Sequence, residues 1–441
     1  MILPRLALRN VRRNRRRTLL TMAVVVAGYV ALAMAGGFMA QTFAGLADGA
    51  IRGGIGHLQV LDPRVLEGDE GQSLEFSLAD GEGLAEKIRQ DPAVAEVLPR
   101  IQFMGLLSNG SASVAFLGTG VDPAKEARHM SVEERVRDAA RAPGSRGAGG
   151  RWLGQDPAVR EVVLGTGLAR SLGAKVGTSL TLMGTTKDGA LNAVDVEVVG
   201  LQDLGLKEMN DRFLATSLET AKVLTEAGSA RSRLSVVLKR SADLKLALPR
   251  IAALCNSIAV SLEQAAKGHI AEGEARRATH RTCVVRPWTE LATFYGQVKL
   301  LYLAIFGFMG LVLFLVVLLA TANTLLMSVM ERLREFGTLR AVGLRPGQLL
   351  ALLQWEGAIL GLAGCAVGLV LTLLLRAGLN ALHQQMPAPP GTSHGYELNI
   401  HLVPWIYLGA FLFLQAVLQL SALAPGLKAA RLRITEALRH V

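Results

Sequence analysis

The sequence predicts an α-helical membrane protein with four transmembrane helices and a large α/β domain inserted between helices 1 and 2. Three observations lead there. Four long runs carry no charge or a single one. The basic residues crowd beside those runs. A stretch of about 250 residues with mixed α/β texture separates the first run from the second.

A hydrocarbon core of about 30 Å needs roughly 20 apolar residues in helical form. No residue between Arg17 and Asp48 is charged, and none between Lys299 and Glu331. A third run, Leu349 to Leu375, has Glu356 as its only charge. The fourth lies between Glu397 and Lys428, with His401 near its start. At 51% hydrophobic residues the chain is too apolar for an ordinary soluble protein. It is also too polar to be embedded throughout.

The net charge of +11 is not spread over a surface. Residues 1–17 hold seven Arg and no acid, 331–350 a net +2 and 428–441 a net +3. These three segments account for the whole excess, and each flanks an apolar run. That is the positive-inside pattern. It excludes nucleic-acid binding as the meaning of the charge and fixes a topology.

Residues 1–17 are then a cytoplasmic basic N-terminus, and helix 1 occupies 18–47. An external domain follows at 48–297, and helix 2 with a stalk at 298–330. A cytoplasmic segment spans 331–348, helix 3 spans 349–375 and an external loop spans 376–403. Helix 4 occupies 404–427, before a cytoplasmic tail at 428–441. Residues 1–35 could instead be a cleaved signal peptide ending at Ala31-Leu32-Ala33. A signal core has about 7–15 residues, and this charge-free run is longer, which favours an uncleaved anchor.

Helix 2 is overlong. Its run from Leu300 to Met330 would reach about 46 Å as one helix. Either it tilts, or it rises from the membrane as a stalk, with Thr289 to Lys299 extending it. Length alone leaves both open.

In the external domain, strands are predicted at His57 to Val60, Ser113 to Leu117, Ser179 to Met183, Val194 to Val199 and Arg233 to Lys239. Helices are predicted at Leu84 to Gln90, ended by Asp91-Pro92, and at Leu244 to Ser257. Residues 139–151 are rich in Gly, Arg, Ala and Ser and read as a flexible loop or junction. Gly165-Thr166-Gly167 reads as a turn, because GxxxxGK[ST] is absent from the chain. No CxxC, HExxH or GxSxG occurs, so neither a metal site nor a catalytic residue is predicted. His57 reads as structural. Of three cysteines, Cys365 reads as a packing residue. Cys255 and Cys283 share the external domain, where an oxidising compartment would allow a disulfide; sequence does not establish that they meet.

The segment after helix 2, SVMERLREFGTLRAVG (Ser328 to Gly343), is the functional candidate. Leu333, Phe336, Leu339 and Val342 form an apolar stripe. Arg332, Arg334, Glu335 and Arg340 occupy the remaining faces, so the helix would lie in the interface with its charged face toward the cytoplasm. Gly337 and Gly343 permit close approach or a helix end. Such a segment, held between two spanning helices, suits force received from a soluble partner. Polar residues within the helices (Asn323, Gln354, Glu356, Gln415 and Gln419) are predicted to bond between helices. Glu356 could instead sit beside Arg345. Gly357, Gly361, Gly364 and Gly368 line one side of helix 3 and allow tight packing, including against a homologous or identical partner.

The stretch Asn323 to Gly343 (NTLLMSVMERLREFGTLRAVG) resembles the signature of the FtsX/MacB/LolC-LolE permease superfamily. Gln354-Trp355-Glu356-Gly357 resembles the acid and small residue that open its next helix. Pro425, Ala429-Ala430 and Glu436-Ala437-Leu438-Arg439 resemble its C-terminal end. Gly56 to Val60, Val163 to Gly173 and Val196 to Gly200 resemble the periplasmic core domain.

The resemblance implies the transmembrane subunit of a type VII ABC transporter in a bacterial inner membrane, with a large periplasmic domain. It implies a dimer with a second permease, identical or homologous, and a separate cytoplasmic ABC ATPase dimer. The coupling helix corresponds to residues 331–340, with Glu331, Arg332, Arg334, Glu335, Phe336, Gly337, Leu339 and Arg340 facing that ATPase. The chain itself would be no enzyme and hold no cofactor; ATP and Mg belong to the partner. MacB carries its ATPase at the N-terminus, whereas this chain opens on a short basic tail, so the ATPase is expected in trans. Size, and the loop 387–396, resemble lipoprotein-releasing members. The implied function is ATP-driven extraction of lipoproteins or envelope lipids, with a periplasmic chaperone or adaptor as partner. Activation of a cell-wall hydrolase and tripartite efflux are the competing roles.

Overall fold

The computed structural model describes residues 2–13, 15–66, 76–78, 80–141, 150–204, 207–269, 283–386 and 396–431. Most of the loop reading at 139–151 and of the 387–396 loop falls outside them. The chain forms two compact units, residues 1–45 with 297–386 and 397–441, and residues 46–296 with 387–396.

The first unit is helical. Its elements are α1 (Ile2–Arg13), α2 (Arg15–Ala50), α3 (Thr293–Glu331), α4 (Leu333–Ala341), α5 (Pro346–Ala381) and α6 (Pro404–Arg431). Four of these are long and apolar enough to cross a membrane: Thr18–Ile55, α3, α5 and Pro404–Ala429. At 39 residues, α3 extends about 58 Å, well beyond the roughly 30 Å of hydrocarbon. It begins at Thr293, so only part of the stretch Thr289 to Lys299 belongs to it.

The packing within this unit follows from small residues. A Cβ at Gly364 would lie 2.8 Å from Val25 Cγ1, and one at Gly368 2.9 Å from Tyr29 Cβ, so α5 touches α2 there. Gly361 abuts Leu418 and Gln415, and Gly357 faces the Leu418 carbonyl, so the lower half of the same stripe receives α6. The glycine face of α5 is therefore filled from within the chain. Gln354 and Gln419 each donate to the other's carbonyl, at 3.2 and 3.4 Å, and Gln415 donates to the Ala358 carbonyl. The core here gathers Val25, Tyr29, Val317, Cys365, Tyr407, Leu414 and Leu418. α3 contributes only a narrow face: Val317, Thr321, Leu325 and Val329 are buried, at four-residue spacing, while Leu300, Phe308 and Leu319 are exposed.

The second unit is built on one nine-stranded sheet. Its strands are β1 (Leu58–Leu61), β2 (Val94–Ser108), β3 (Ser113–Val121), β4 (Glu161–Gly165), β5 (Ser179–Thr185), β6 (Leu191–Gln202), β7 (Phe213–Ser217), β8 (Arg233–Leu238) and β9 (Val284–Pro287). Their order is β3-β7-β4-β6-β5-β2-β8-β1-β9, and β2 also pairs with β3. The six strands from β3 round to β2 thus close on themselves. The remaining strands run antiparallel from the other half of β2.

β2 divides its length. Val94 to Arg100 pair with β8, and Ile101 to Ser108 with β3. The closed part holds Phe103, Phe116, Leu164, Leu182 and Leu214, with Phe103 and Phe116 edge-on at 5.6 Å; such a pair adds about 0.5–1.5 kcal/mol beyond its buried area. The open part packs Leu58, Val60, Val97, Leu234 and Val236 against helices Gly81–Arg89 and Leu244–His269. Gly165-Thr166-Gly167 joins β4 to the helix Thr166–Leu172, a strand-to-helix junction and not a free turn. The space over Gly165 and Gly167 is filled by Asn210 and Asp211.

His57 precedes β1 and is buried. Its Nδ1 accepts from the Leu238 amide at 3.2 Å, so Nε2 donates to Ser241 Oγ at 2.9 Å. Burial pushes its pKa below the usual 6.5, against a smaller upward pull from Asp48.

Candidate coupling site

The candidate segment is delimited by its own sequence. α3 ends at Glu331, and Arg332 leaves helical geometry with φ −107° and ψ 14°. α4 then runs for nine residues and stops where Gly343 takes φ +108°, a backbone only glycine adopts without strain. Pro346 begins α5 at its first turn, where a missing N–H costs nothing, and Gln348 accepts from the Arg345 amide at 2.9 Å.

The apolar stripe holds for most of its length. Leu333 and Phe336 are buried and Leu339 half-buried, and Phe336 and Leu339 pack with Val329, Leu349, Leu352 and Leu353. Gly337 is buried with them. Val342 is not part of the stripe: it lies past the last helical residue and is 89% exposed. Glu331, Arg334 and Glu335 face outward and Arg340 is half-buried.

Arg332 departs from the expectation of a charged outer face. It is 8% exposed. Its Nη1 lies 3.3 Å from Glu356 Oε1 on α5, its Nε 2.9 Å from Glu335 Oε2 on α4, and its guanidinium stacks 5.0 Å over the Phe336 ring. A residue at a helix break can turn inward because it no longer shares the periodicity of either helix. Glu356 is correspondingly buried and pairs with Arg332, not Arg345.

Two further partners come from α1. Asn10 Nδ2 donates to Glu356 Oε1 at 2.7 Å, and Arg13 Nη2 donates to Glu335 Oε1 at 2.5 Å. Ala7 of α1 is fully buried in the same core as Phe336 and Leu352. Neither Asn10 nor Arg13 was legible as a site residue. The signal available was spacing: Leu3, Leu6, Ala7 and Asn10 recur every three to four residues within the arginine-rich tail. A small cavity of about 40 Å³, lined by Asn10, Thr18, Arg332 and Glu356 and by apolar Val11, Leu325 and Leu360, adjoins the network. Partial burial raises the Glu335 pKa, but hydrogen bonds from Arg332 and Arg13 outweigh it and hold the carboxyl below its usual range.

The network thus ties three elements to one buried arginine: α1, α4 and α5. Asn323, expected to pack between helices, is exposed on α3.

Two family models match the chain. The FtsX-like permease C-terminal model covers residues 307–434, which includes this network's α4 and α5. The MacB-like periplasmic core domain model covers residues 18–254, more than half of the chain. The chain belongs to the FtsX/MacB/LolC superfamily of ABC transporter permeases. The permease is similar to the lipoprotein-releasing system transmembrane protein LolC of Neisseria meningitidis serogroup B, at 25% identity over 63% of this chain and 60% of that protein. It is 34% identical to an uncharacterised ABC transporter permease of Methanocaldococcus jannaschii over 27% of this chain and 28% of the relative. YtrF, an ABC transporter permease of Bacillus subtilis, is 25% identical over 30% of this chain and 31% of its own. The permease therefore spans 60% of the length of the first relative and under a third of the others. Among solved structures, the periplasmic region of MacB from Actinobacillus actinomycetemcomitans matches at 13% identity and a TM-score of 0.34, covering 55% of this chain and 94% of that one. The extracellular domain of YknZ from Gram-positive bacteria matches at 13% identity, a TM-score of 0.32 and coverage of 52% and 98%. Membership rests on the family models. With its four span-capable helices, it makes the permease a multi-pass membrane protein.

Proposed function

We propose that the permease sits in a bacterial inner membrane and relays the motion of a separate cytoplasmic ATPase to its periplasmic domain. The observation that carries this reading is the buried Arg332. A push on a loosely tethered amphipathic helix would dissipate in the lipid interface. α4 is instead ionically bound through Arg332 to Glu356, inside a spanning helix, and through Glu335 to α1. Force on α4 therefore moves α5 and α1 with it. The length of α3 favours the stalk over a tilted anchor, since its ~58 Å exceeds the roughly 40 Å that even a tilt of about 40° would place in the hydrocarbon core. The work is mechanical, so the subunit needs no catalytic residue of its own.

The substrate reading is a lipid-anchored protein or envelope lipid. An apolar groove of about 500 Å³ opens between α2, α3 and α6, floored by Gly307, Gly310 and Gly409 and walled by Leu32, Leu311, Phe314, Ile406 and Phe413. Its walls offer nothing to a polar solute, whereas an acyl chain satisfies them. By the predicted topology this is the outward half of the helices.

The test is purification of the tagged chain in mild detergent, with identification of everything that accompanies it. A small ATPase together with acylated protein is expected. Gly409→Phe, which fills the groove, should remove the acylated species and keep the ATPase. The ATPase with a cell-wall hydrolase or an adaptor would replace the lipid reading with mechanotransmission or efflux. Recovery without any ATPase would overturn the relay.

A further inference from the structure

Cys255 and Cys283 lie in one hydrophobic cluster although 27 other residues separate them in sequence. Cys255 belongs to the helix Leu244–His269, and Cys283 is the residue before β9. Helix and strand pack directly on one another, with Ile251, Val285 and Leu254 around the thiols. Both thiols are free, and each shifts the ionisation of the other. Cys255 is 1% exposed and Cys283 half-buried, so Cys283 is the more accessible residue of the two.

We propose that Cys255 and Cys283 are a disulfide-forming pair that staples β9 to the helix behind it, a reading that rests on the external placement of residues 46–296. Burial alone would make these inert thiols. The neighbouring Cys255 holds the Cys283 thiol below its usual range, against burial and the nearby Asp62, while Cys283 and burial push Cys255 up. Cys283 is thus both the more accessible and the more acidic cysteine, the combination that reacts first in exchange.

The chemistry balances with a disulfide-bearing oxidant, either an exchange protein or oxidised glutathione. Cys283 gives up its proton, and its thiolate attacks one sulfur of the oxidant. The oxidant's S–S bond breaks, and its departing sulfur takes the electron pair and then a proton. Cys255 loses its proton and attacks Cys283 Sγ in the mixed disulfide. The second oxidant sulfur leaves as a thiol. Two cysteines are oxidised and one disulfide is reduced.

The position gives the staple a purpose. Among the described residues, β9 is the last strand of the sheet and pairs with β1 alone. It is followed by the short helix Trp288–Leu291 and then by the first turn of α3 at Thr293. Along the chain, any pull arriving from α3 passes through that short helix to β9, the first strand it meets. Backbone bonds to a single neighbour can peel one at a time, and a covalent tie to the helix Leu244–His269 prevents it.

The experiment denatures cells expressing the full chain directly into alkylating agent, so that every free thiol is trapped, then maps peptides before and after reduction. The expected result is one alkylated cysteine, Cys365, before reduction and a linked Cys255–Cys283 peptide that reduction separates. Cys255→Ser and Cys283→Ser should each leave the remaining partner alkylated in denatured protein; should either variant not fold, the wild-type map decides alone. Three alkylated cysteines from cells, with no linked peptide even after the folded purified protein meets oxidised glutathione, would overturn the pairing. All three cysteines alkylated from cells, together with ready Cys255–Cys283 linkage when a separate unalkylated sample meets oxidised glutathione, would uphold the pairing and refute the external placement.

Discussion

Arg332→Met isolates the contribution of the buried pair. The side chain stays long and can still lie over Phe336, so packing loss is small. Two charge contacts go. The one to Glu335 is with a carboxylate whose side chain is 47% exposed, and exposed pairs contribute only about 0.2–1 kcal/mol. The one to Glu356 is different: both side chains are under a tenth exposed. Removing one partner of a buried pair costs about 3–5 kcal/mol, because the other charge remains buried and uncompensated. Asn10 alone then faces Glu356. The double variant Arg332→Met/Glu356→Leu removes the stranded charge and should recover most of that loss. What remains is the unpaired Asn10 amide, about 1 kcal/mol. The assay is SDS titration in mixed micelles followed by tryptophan fluorescence, Trp355 standing next to Glu356. A cost below about 1 kcal/mol for the single variant would refute Arg332 as the counter-charge. A double variant as unstable as the single would place the loss elsewhere than in the stranded carboxylate. Both should hydrolyse ATP in the assembled transporter without moving substrate.

Glu335→Lys faces Arg13 and Arg332 with a like charge and should abolish coupled transport while insertion, read by protease protection, stays normal. The Glu335 carboxyl is held below its ordinary 4.5, so its contribution is intact above that pH and disappears only as pH falls through the folded value; coupling measured between pH 6 and 8 should not change on this account. Gly368→Val drives side-chain atoms into Tyr29 and should cost about 1–3 kcal/mol by the same micelle titration, whereas Gly307→Ala, with nothing within 4 Å, should leave stability unchanged. His57 has a folded pKa below 6.5, so its contribution is complete above that value and fades as pH falls below it, the unfolded chain taking the proton first. His57→Gln should flatten the thermal stability of the domain between pH 7 and 5; an unaltered profile would show that another group sets it.

The four apolar helices were legible because each needs only absence of charge over its length, a local property. The stripe Leu333, Phe336, Leu339 was legible for the same reason, and Val342 misled because periodicity does not show where a glycine at positive φ stops the helix. Arg332 was not legible: beside an apolar stripe an arginine reads as surface, and only the break at that residue turns it inward. Asn10 and Arg13 were hidden by counting the tail as charge for topology, which discards the order of residues within it. The glycines of α5 were read as a packing face, but their spacing could not say that α2 and α6 fill it from the same chain. In the domain, His57, β1, β5 and β8 follow from local sequence, whereas the closure of β3 onto β2 and the pairing of β1 with β9 join segments far apart, which no window of sequence contains.

That last pairing orders events during synthesis. β1 is among the first residues of the domain to leave the ribosome and β9 among the last, so the sheet cannot close its final ladder until Pro287 has crossed the membrane. The next segment to arrive is α3, which must stop in the bilayer. A nascent domain therefore waits with the outer edge of β1 open, exposed to any other unpaired strand, until the translocation machinery has taken up the next membrane helix. Delay in inserting α3 would be felt as misfolding on the far side of the membrane.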